Sequence, residues 1–239
     1  MAGPLALVGS GEFLPTMDAT DRQMLQGRTP TVAVIPTAAA PEGEASLRRW
    51  FDLAHRHYFS MGAEVVEVDV RTRADAEDPD VARLVQRVGL IYLSGGNPGF
   101  LAATLTDSVL GKAIATAWRS GTALAGCSAG AMALGSVTVN RRGGAQVAMG
   151  LAGPVVIIPH FDSLGFARRF VGALVSVRTE GTLIGVDEDT ALVWTPKRQA
   201  WLVRGRSAVW LLGPNGAKEQ RYIAADEVPL PAPIQNAVT

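Results

Sequence analysis

"GTALAGCSAGAMALG", residues 121–135, decides how this chain folds. Its first half, TALAGC (122–127), is a short apolar run that suits a buried strand, and AGAMALG (129–135) begins a helix. A strand that turns sharply into a helix lifts one side chain to the end of a sheet. The pattern for such an elbow is G-x-S-x-G, because residues two before and two after the apex must be small. Centred on Ser128, the frame is flanked by Gly126 and Gly130; centred on Cys127, it is flanked by Ala125 and Ala129. Ser128 therefore takes the apex, and Cys127 ends the strand as a small buried hydrophobe. The N–H groups of the following helix point toward the apex, where they stabilise developing negative charge.

Outward from this stretch, short apolar runs alternate with helical patterns. LALVG (5–9), TVAVIPT (31–37), AEVVEVDV (63–70) and GLIYLSGG (89–96) read as strands. Residues 46–61 carry Leu47, Trp50, Phe51, Ala54, Tyr58 and Met61 at helical spacing, with further helices over about 79–88 and over 98–119, broken near Asp107. This alternation predicts an α/β fold, a doubly wound and mostly parallel sheet with helices on both faces. Beyond residue 136, VVIIP (155–159) reads as a strand and 163–177 as a helix. GTLIGV, ALVWT, QAWLVR and SAVWLLG then follow closely, which predicts antiparallel strands appended to the sheet at its C-terminal end. The chain reads as one domain over 1–239, with a tail from about 226 that is extended or disordered.

Composition narrows the function classes. Of 239 residues 48% are hydrophobic and 6% aromatic, which suits a large aliphatic core. Basic and acidic residues balance at 22 each, so no basic field draws the chain to nucleic acid or to an anionic membrane. The single cysteine cannot form an internal disulfide, which fits a reducing compartment. MAGPLALVGSGEF has no basic n-region and too short an apolar run for a signal peptide. No apolar run approaches the ~20 residues of a membrane helix. The expectation is a cytoplasmic protein, without metal or other cofactor, acting as a monomer or homodimer.

A serine nucleophile needs a base. His55 and His57 fall within the 46–61 helix and read as surface or boundary residues, whereas His160 follows the apolar strand VVIIP. The C-terminal end of a strand is where an open α/β sheet builds its site. No Asp or Glu lies between Ser128 and His160, so the Ser–acid–His order of α/β-hydrolases is unavailable. LIGVDEDTALVW (183–194) supplies Asp187, Glu188 and Asp189 at a turn between two strands.

GCSAGA, YLSGGN, PHF and GVDEDTA, in this order and spacing, resemble the cyanophycinase and aspartyl dipeptidase (dipeptidase E) family of serine peptidases. VGSGEF and VIPTAA add to the resemblance, which spans roughly residues 5–212. It implies a class I glutamine amidotransferase-like fold and a Ser-His-Glu triad of Ser128, His160 and Glu188, with Asp187 as runner-up for the acid. Glu188 is preferred because the family's glutamate sits three residues after a glycine, as here after Gly185. The resemblance also implies an oxyanion hole from the Gly96 and Ala129 N–H groups, and substrate contacts from the GGN turn at Asn97.

Two substrate classes follow from it. Cyanophycinases, which cut an aspartate polymer bearing arginine branches, usually read D-Q-H-F at the histidine. This chain reads Ile158-Pro159-His160-Phe161, nearer the dipeptidases that remove an N-terminal aspartate. GVDEDTA looks more like the cyanophycinase side. An aspartate-specific enzyme needs a cation, and Arg168, Arg169 and Arg178 follow His160. Arg169 lies nearest the apolar stripe of its helix and is the candidate substrate contact. NRRGG (140–144) reads as a loop near the elbow helix that could cover the site. The expected activity is hydrolysis of short peptides, favouring an N-terminal Asp. The alternatives are release of Asp-Arg dipeptides from cyanophycin, a non-peptidase acyl hydrolase, and an inactive binding module that keeps the pocket without the chemistry.

Overall fold

A computed structural model describes residues 1–140, 144–163, 181–213 and 217–234. The N-terminal part interleaves strands β1 (Leu5–Val8), β2 (Thr31–Ile35), β3 (Glu64–Glu67), β4 (Leu90–Leu93) and β5 (Ala123–Cys127) with helices. The helices are α1 (Asp18–Leu25), α2 (Glu44–Ser60), α3 (Arg73–Ala76), α4 (Pro79–Arg83), α5 (Pro98–Leu105), α6 (Val109–Arg119) and α7 (Ala129–Leu134). The chain continues through β6 (Val137–Val139), β7 (Ala145–Val147), β8 (Val155–Ile158), β9 (Thr182–Val186), β10 (Thr190–Thr195), β11 (Ala200–Gly205), β12 (Ala208–Leu212), β13 (Lys218–Ile223) and β14 (Glu227–Val228).

β1 to β5 are parallel and occupy five adjacent positions of an eight-stranded sheet of order β14-β11-β10-β1-β5-β4-β2-β3. Successive side chains of a strand face opposite ways, and both faces of this sheet are covered. Leu5, Leu7, Ile35, Ile91, Leu93 and Leu124 pack with Leu101 and Leu105 of α5 and with Leu110, Ile114 and Trp118 of α6. The alternate residues, among them Ala6, Val8, Val34, Tyr92, Ala125 and Cys127, pack with Met24 of α1 and with Phe51 and Tyr58 of α2. Cys127 therefore points into the second core. The fold class is the expected mixed α/β arrangement with a large, mainly parallel sheet and antiparallel strands toward the C-terminal end.

Beyond the small β6-β7 hairpin, the later strands divide between two sheets, which corrects the expectation that all of them extend one. β10, β11 and β14 do extend the main sheet, β10 antiparallel to β1, β11 antiparallel to β10 and β14 antiparallel to β11. β8, β9, β12 and β13 instead form a second sheet of order β13-β12-β9-β8, covered by Met132, Val139 and Phe161. Consecutive strands β9 and β10 part company across residues 187–189: β9 pairs with β8 and β12, β10 with β1 and β11. An apolar run marks a buried strand without naming its partner, so this division is invisible in the sequence.

The tail is ordered further than expected. β14 pairs with Trp201 and Leu202, Trp201 Nε1 donates to Pro231 O at 2.9 Å, and the Ile234 N–H donates to Leu151 O at 3.2 Å. The helix expected over 163–177 and the centre of the NRRGG loop lie outside the described residues.

α1 has no counterpart in the sequence reading. Its buried residues are Thr20, Asp21 and Met24, so it shows no apolar stripe. Asp21 is there for His57, whose Nε2 lies 2.8 Å from Asp21 Oδ2, both side chains almost fully buried. His57 is thus a core residue, correcting its surface assignment, while His55 is exposed and pairs with Glu67. Removing one partner of a buried hydrogen-bonded pair leaves the other uncompensated. His57→Ala should lower unfolding stability by about 3 kcal/mol, and His55→Ala by less than about 1 kcal/mol. Urea midpoints at unchanged slope measure both, and equal midpoints would contradict the buried pair.

Candidate active site

The site is built at the C-terminal ends of the parallel strands. β5 ends at Cys127, the Ser128 N–H donates to Val8 O at 2.9 Å, and α7 starts at Ala129. Ser128 has φ 51° and ψ −110°, a conformation that costs a non-glycine residue roughly 1–3 kcal/mol. The flanking glycines make room for this turn. A Cβ on Gly126 would lie 2.5 Å from Gly130 O, and one on Gly130 would lie 2.2 Å from Leu93 O. Neither position admits a side chain without moving backbone. The small-residue frame that singled out Ser128 thus reflects a close approach of β4, β5 and α7.

The histidine follows β8 of the second sheet, and the acid lies in the link from β9 of that sheet to β10 of the main one. β8 delivers Pro159 and His160; His160 has φ 49°, and its carbonyl accepts from the Ser163 N–H at 2.9 Å. The neighbouring Phe161 N–H donates to Val186 O at 3.1 Å, which ties the histidine turn to the end of β9. Three residues on, Asp189 also has a positive φ, 53°. Ser128 Oγ lies 3.0 Å from His160 Nε2, and His160 Nδ1 lies 3.0 Å from Glu188 Oε1. These three residues, expected as a group, are brought together. The His160 side chain is 24% exposed and that of Glu188 45%, so the line opens to solvent at its acidic end.

The runner-up acid is turned away. Asp187 accepts from Ser207 Oγ at 2.8 Å, from the Ala208 N–H at 3.2 Å and from Trp210 Nε1 at 3.0 Å. Burial raises its pKa above the usual carboxylate value, against the lowering effect of the Ser207 hydrogen bond. Asp162 Oδ1 accepts the Glu188 N–H at 2.9 Å and so fixes the backbone that carries Glu188. Asp189 Oδ2 pairs with Arg206 at 2.8 Å.

Of the expected oxyanion donors, Ala129 directly follows Ser128, and Gly96 follows Gly95, where a Cβ would lie 3.4 Å from Ser128 Cβ. Ala129 is the first residue of α7, so its N–H has no acceptor within the helix. Gly96 has φ 138°, and a Cβ there would meet Ala38 O at 2.4 Å, so only glycine fits this turn. Asn97 caps α5: its Oδ1 accepts from the Phe100 N–H at 2.9 Å. That contact is structural and accounts for the carbonyl end of a residue expected to meet substrate. Arg169 lies outside the described residues.

Cys127 is fully buried, and its Sγ donates to Glu12 Oε2 at 2.8 Å. Burial, reinforced by the Glu12 carboxylate, raises its pKa well above the normal thiol value. At neutral pH it stays a thiol, which is a poor nucleophile. Glu12, part of the VGSGEF stretch, is buried beside the elbow. Among the described residues, no group of three or more His, Cys, Asp or Glu could hold a metal ion, and no helix is long and apolar enough to cross a membrane.

Fold and site together define a class: α/β proteins with a serine at a nucleophile elbow, hydrogen-bonded through histidine to a carboxylate. The chain belongs to peptidase family S51, whose family model matches residues 5–200. The cyanophycinase of Trichormus variabilis is 30% identical over 173 residues, 67% of this chain and 57% of that protein. The cyanophycinase of Synechococcus elongatus is 26% identical over 216 residues, 85% of this chain and 65% of that protein. The chain thus spans less than two thirds of the length of these curated relatives. A crystal structure of a peptidase from an acI-B1 Actinobacterium superposes with TM-score 0.88 at 36% identity, covering 95% of this chain and 97% of that one. A putative peptidase E protein from Listeria monocytogenes matches with TM-score 0.65 at 19% identity over 87% of this chain and shares the fold.

Proposed function

We propose that this chain is a serine peptidase that hydrolyses short peptides, with Ser128 as nucleophile, His160 as general base and acid, and Glu188 as the group that orients the imidazole. The observation that carries this reading is the unbroken hydrogen-bond line Ser128 Oγ–His160 Nε2 and His160 Nδ1–Glu188 Oε1, each 3.0 Å, starting from a strained elbow. Ser128 attacks the scissile carbonyl as His160 takes its proton. Glu188 keeps the Nδ1–H tautomer and stabilises the imidazolium. The Gly96 and Ala129 N–H groups receive the oxyanion. His160 then protonates the leaving amine, and water attacks the acyl-enzyme by the same route in reverse.

On substrate, we favour peptides with an N-terminal aspartate, removed as a dipeptidase would. Pro159 before the histidine and the arginines after it, Arg169 first among them, support this. A second reading, release of Asp-Arg dipeptides from cyanophycin, is supported by the names of the curated relatives. Asp-Leu, Asn-Leu, Ala-Leu and cyanophycin, assayed in parallel, separate the two. The aspartate reading expects kcat/KM to fall at least about tenfold from Asp-Leu to Asn-Leu, on the order of 1.4 kcal/mol. Arg169→Ala should erase that preference and leave Ser128 open to a fluorophosphonate. Equal rates on the three dipeptides would end the acidic-pocket reading, and rapid cleavage of cyanophycin would establish the second.

A further inference from the structure

Glu12 is a buried acid that the mechanism above does not use. Its residue is 9% exposed, and it stands in the loop after β1, beside the elbow. Oε1 accepts the Gly95 N–H at 3.1 Å, and Oε2 accepts the Cys127 thiol proton at 2.8 Å. Gly95 immediately precedes Gly96, and Cys127 immediately precedes Ser128 and Ala129. One carboxylate therefore grips the two segments that carry the nucleophile and both oxyanion donors. The grip is close: the position a Gly95 Cβ would take lies 2.8 Å from Glu12 Oε1 and 3.4 Å from Ser128 Cβ.

The carboxylate is itself held from the other side. The next residue, Phe13, is buried with φ 61°, and its ring packs on Tyr92 at 4.9 Å and on Tyr58 at 5.8 Å between centroids. The Leu14 N–H closes the turn on Gly11 O at 3.1 Å. The Glu12 backbone is thus anchored in the core between the main sheet and α2, independently of the contacts its side chain makes. Burying a carboxylate is unfavourable unless its oxygens are satisfied, and here both are, by groups from two different strand ends. Those strand ends, β4 and β5, are neighbours in the sheet. Their ladder stops at Leu93 and Gly126, and Glu12 continues the connection where backbone pairing ends.

We propose that Glu12 is a positioning residue of the active site: by clamping Gly95 and Cys127 it sets the spacing between the Gly96 and Ala129 N–H groups around Ser128. The inference rests on the assignment of Ser128 as nucleophile and of these two N–H groups as the oxyanion hole. Oxyanion donors act only when they meet the position the oxygen takes in the transition state. Loosening the clamp therefore lowers kcat and leaves ground-state binding, and hence KM, nearly unchanged. Deleting one donor outright typically costs about 10²–10³-fold in kcat. Displacing two donors that remain present should cost less, about 10- to 100-fold.

The test compares Glu12→Gln, Glu12→Leu and Glu12→Ala with wild type for kcat and KM on the dipeptide that wild type cleaves best. The rate of fluorophosphonate labelling and the thermal midpoint are measured alongside. Glutamine keeps both links, its oxygen accepting from Gly95 and its amide donating to the Cys127 sulfur, so Glu12→Gln should stay within about fivefold of wild type. Leucine keeps the volume and makes neither link. Glu12→Leu and Glu12→Ala should each lose about 10- to 100-fold in kcat and in labelling rate, with KM within about threefold. A residue that only stabilises the fold would lower the midpoint and leave kcat at wild-type level in folded enzyme, and that result overturns the proposal. Should both variants fail to fold, Cys127 decides. Cys127→Ser keeps a donor to Glu12 and should remain within twofold, while Cys127→Ala should lose about three- to tenfold in kcat. Equal kcat in these two variants counts against the clamp. A wild-type chain that neither labels at Ser128 nor cleaves any peptide overturns the site assignment and the inference with it. A labelled, active wild type with unaffected Glu12 variants overturns the inference alone.

Discussion

Ser128→Ala abolishes fluorophosphonate labelling and lowers kcat by roughly 10⁴–10⁶-fold, whereas Cys127→Ala keeps the label and loses no more than about tenfold. Adjacent residues are expected to differ this widely because the strand end gives them opposite environments. Cys127 belongs to the period-two pattern of β5 and points into the core with Val8 and Tyr92. Burial and the Glu12 carboxylate keep its thiol protonated. Ser128 has left the strand with φ 51°, and its Oγ faces His160 Nε2. A serine without that base would be as inert as any surface hydroxyl. Peptide mapping by tandem mass spectrometry of the phosphonylated protein locates the label, and turnover of the best dipeptide gives kcat. A Cys127→Ala chain that folds but takes no label, beside a reactive Ser128→Ala chain, would move the apex by one residue and remove the basis of the mechanism.

The elbow was legible in the sequence because its cause is local. Gly126 and Gly130 must be small since β4, β5 and α7 meet within van der Waals distance there, and chain spacing alone displays that requirement. The parallel part of the main sheet was legible for a similar reason. Strands buried on both faces are continuously apolar, and the helices between them show a one-sided stripe, as in α2 and α6. His160 was legible from its place after an apolar strand.

What escaped the sequence depends on partners remote in the chain. α1 carries no apolar stripe because the face it buries is largely Thr20 and Asp21, and Asp21 meets His57, 36 residues away. His57 looked like a surface residue because a buried histidine needs an acid that periodicity cannot point to. The second sheet was hidden because β9 and β10 are both short, continuously apolar runs, yet one joins β8 and the other β1. That division has a functional consequence. Ser128 follows β5 of the main sheet, His160 follows β8 of the second, and Glu188 lies in the link from β9 to β10 that joins the two, so the hydrogen-bond line forms where the sheets meet. Glu12 is illegible as a buried residue because its partners, Gly95 and Cys127, lie 83 and 115 residues away in the chain.

His160→Ala should cost roughly 10⁴–10⁶ in kcat, and the Ser128→Ala/His160→Ala double variant should be no slower than either single variant. Residues that act as one unit lose their whole contribution when any essential member is removed, so multiplied losses would indicate independent roles and contradict a shared mechanism. Glu188 is expected to contribute less. A buried triad carboxylate replaced by its amide costs about 10⁴-fold, through the wrong imidazole tautomer. Here the carboxylate is 45% exposed, where water screens its charge and can itself accept from Nδ1–H. Glu188→Gln should therefore lower kcat by roughly 10²–10³-fold, with KM little changed and the fold intact. Asp187→Asn should do the reverse. Its carboxylate serves Ser207, Ala208 and Trp210, so the loss should fall on the thermal midpoint while kcat in folded enzyme stays near wild type. Circular dichroism melts and steady-state kinetics on the two variants read these quantities separately. If Asp187→Asn proved the catalytic defect and Glu188→Gln the silent one, the imidazole would take its orientation from the residue that this geometry turns away from it.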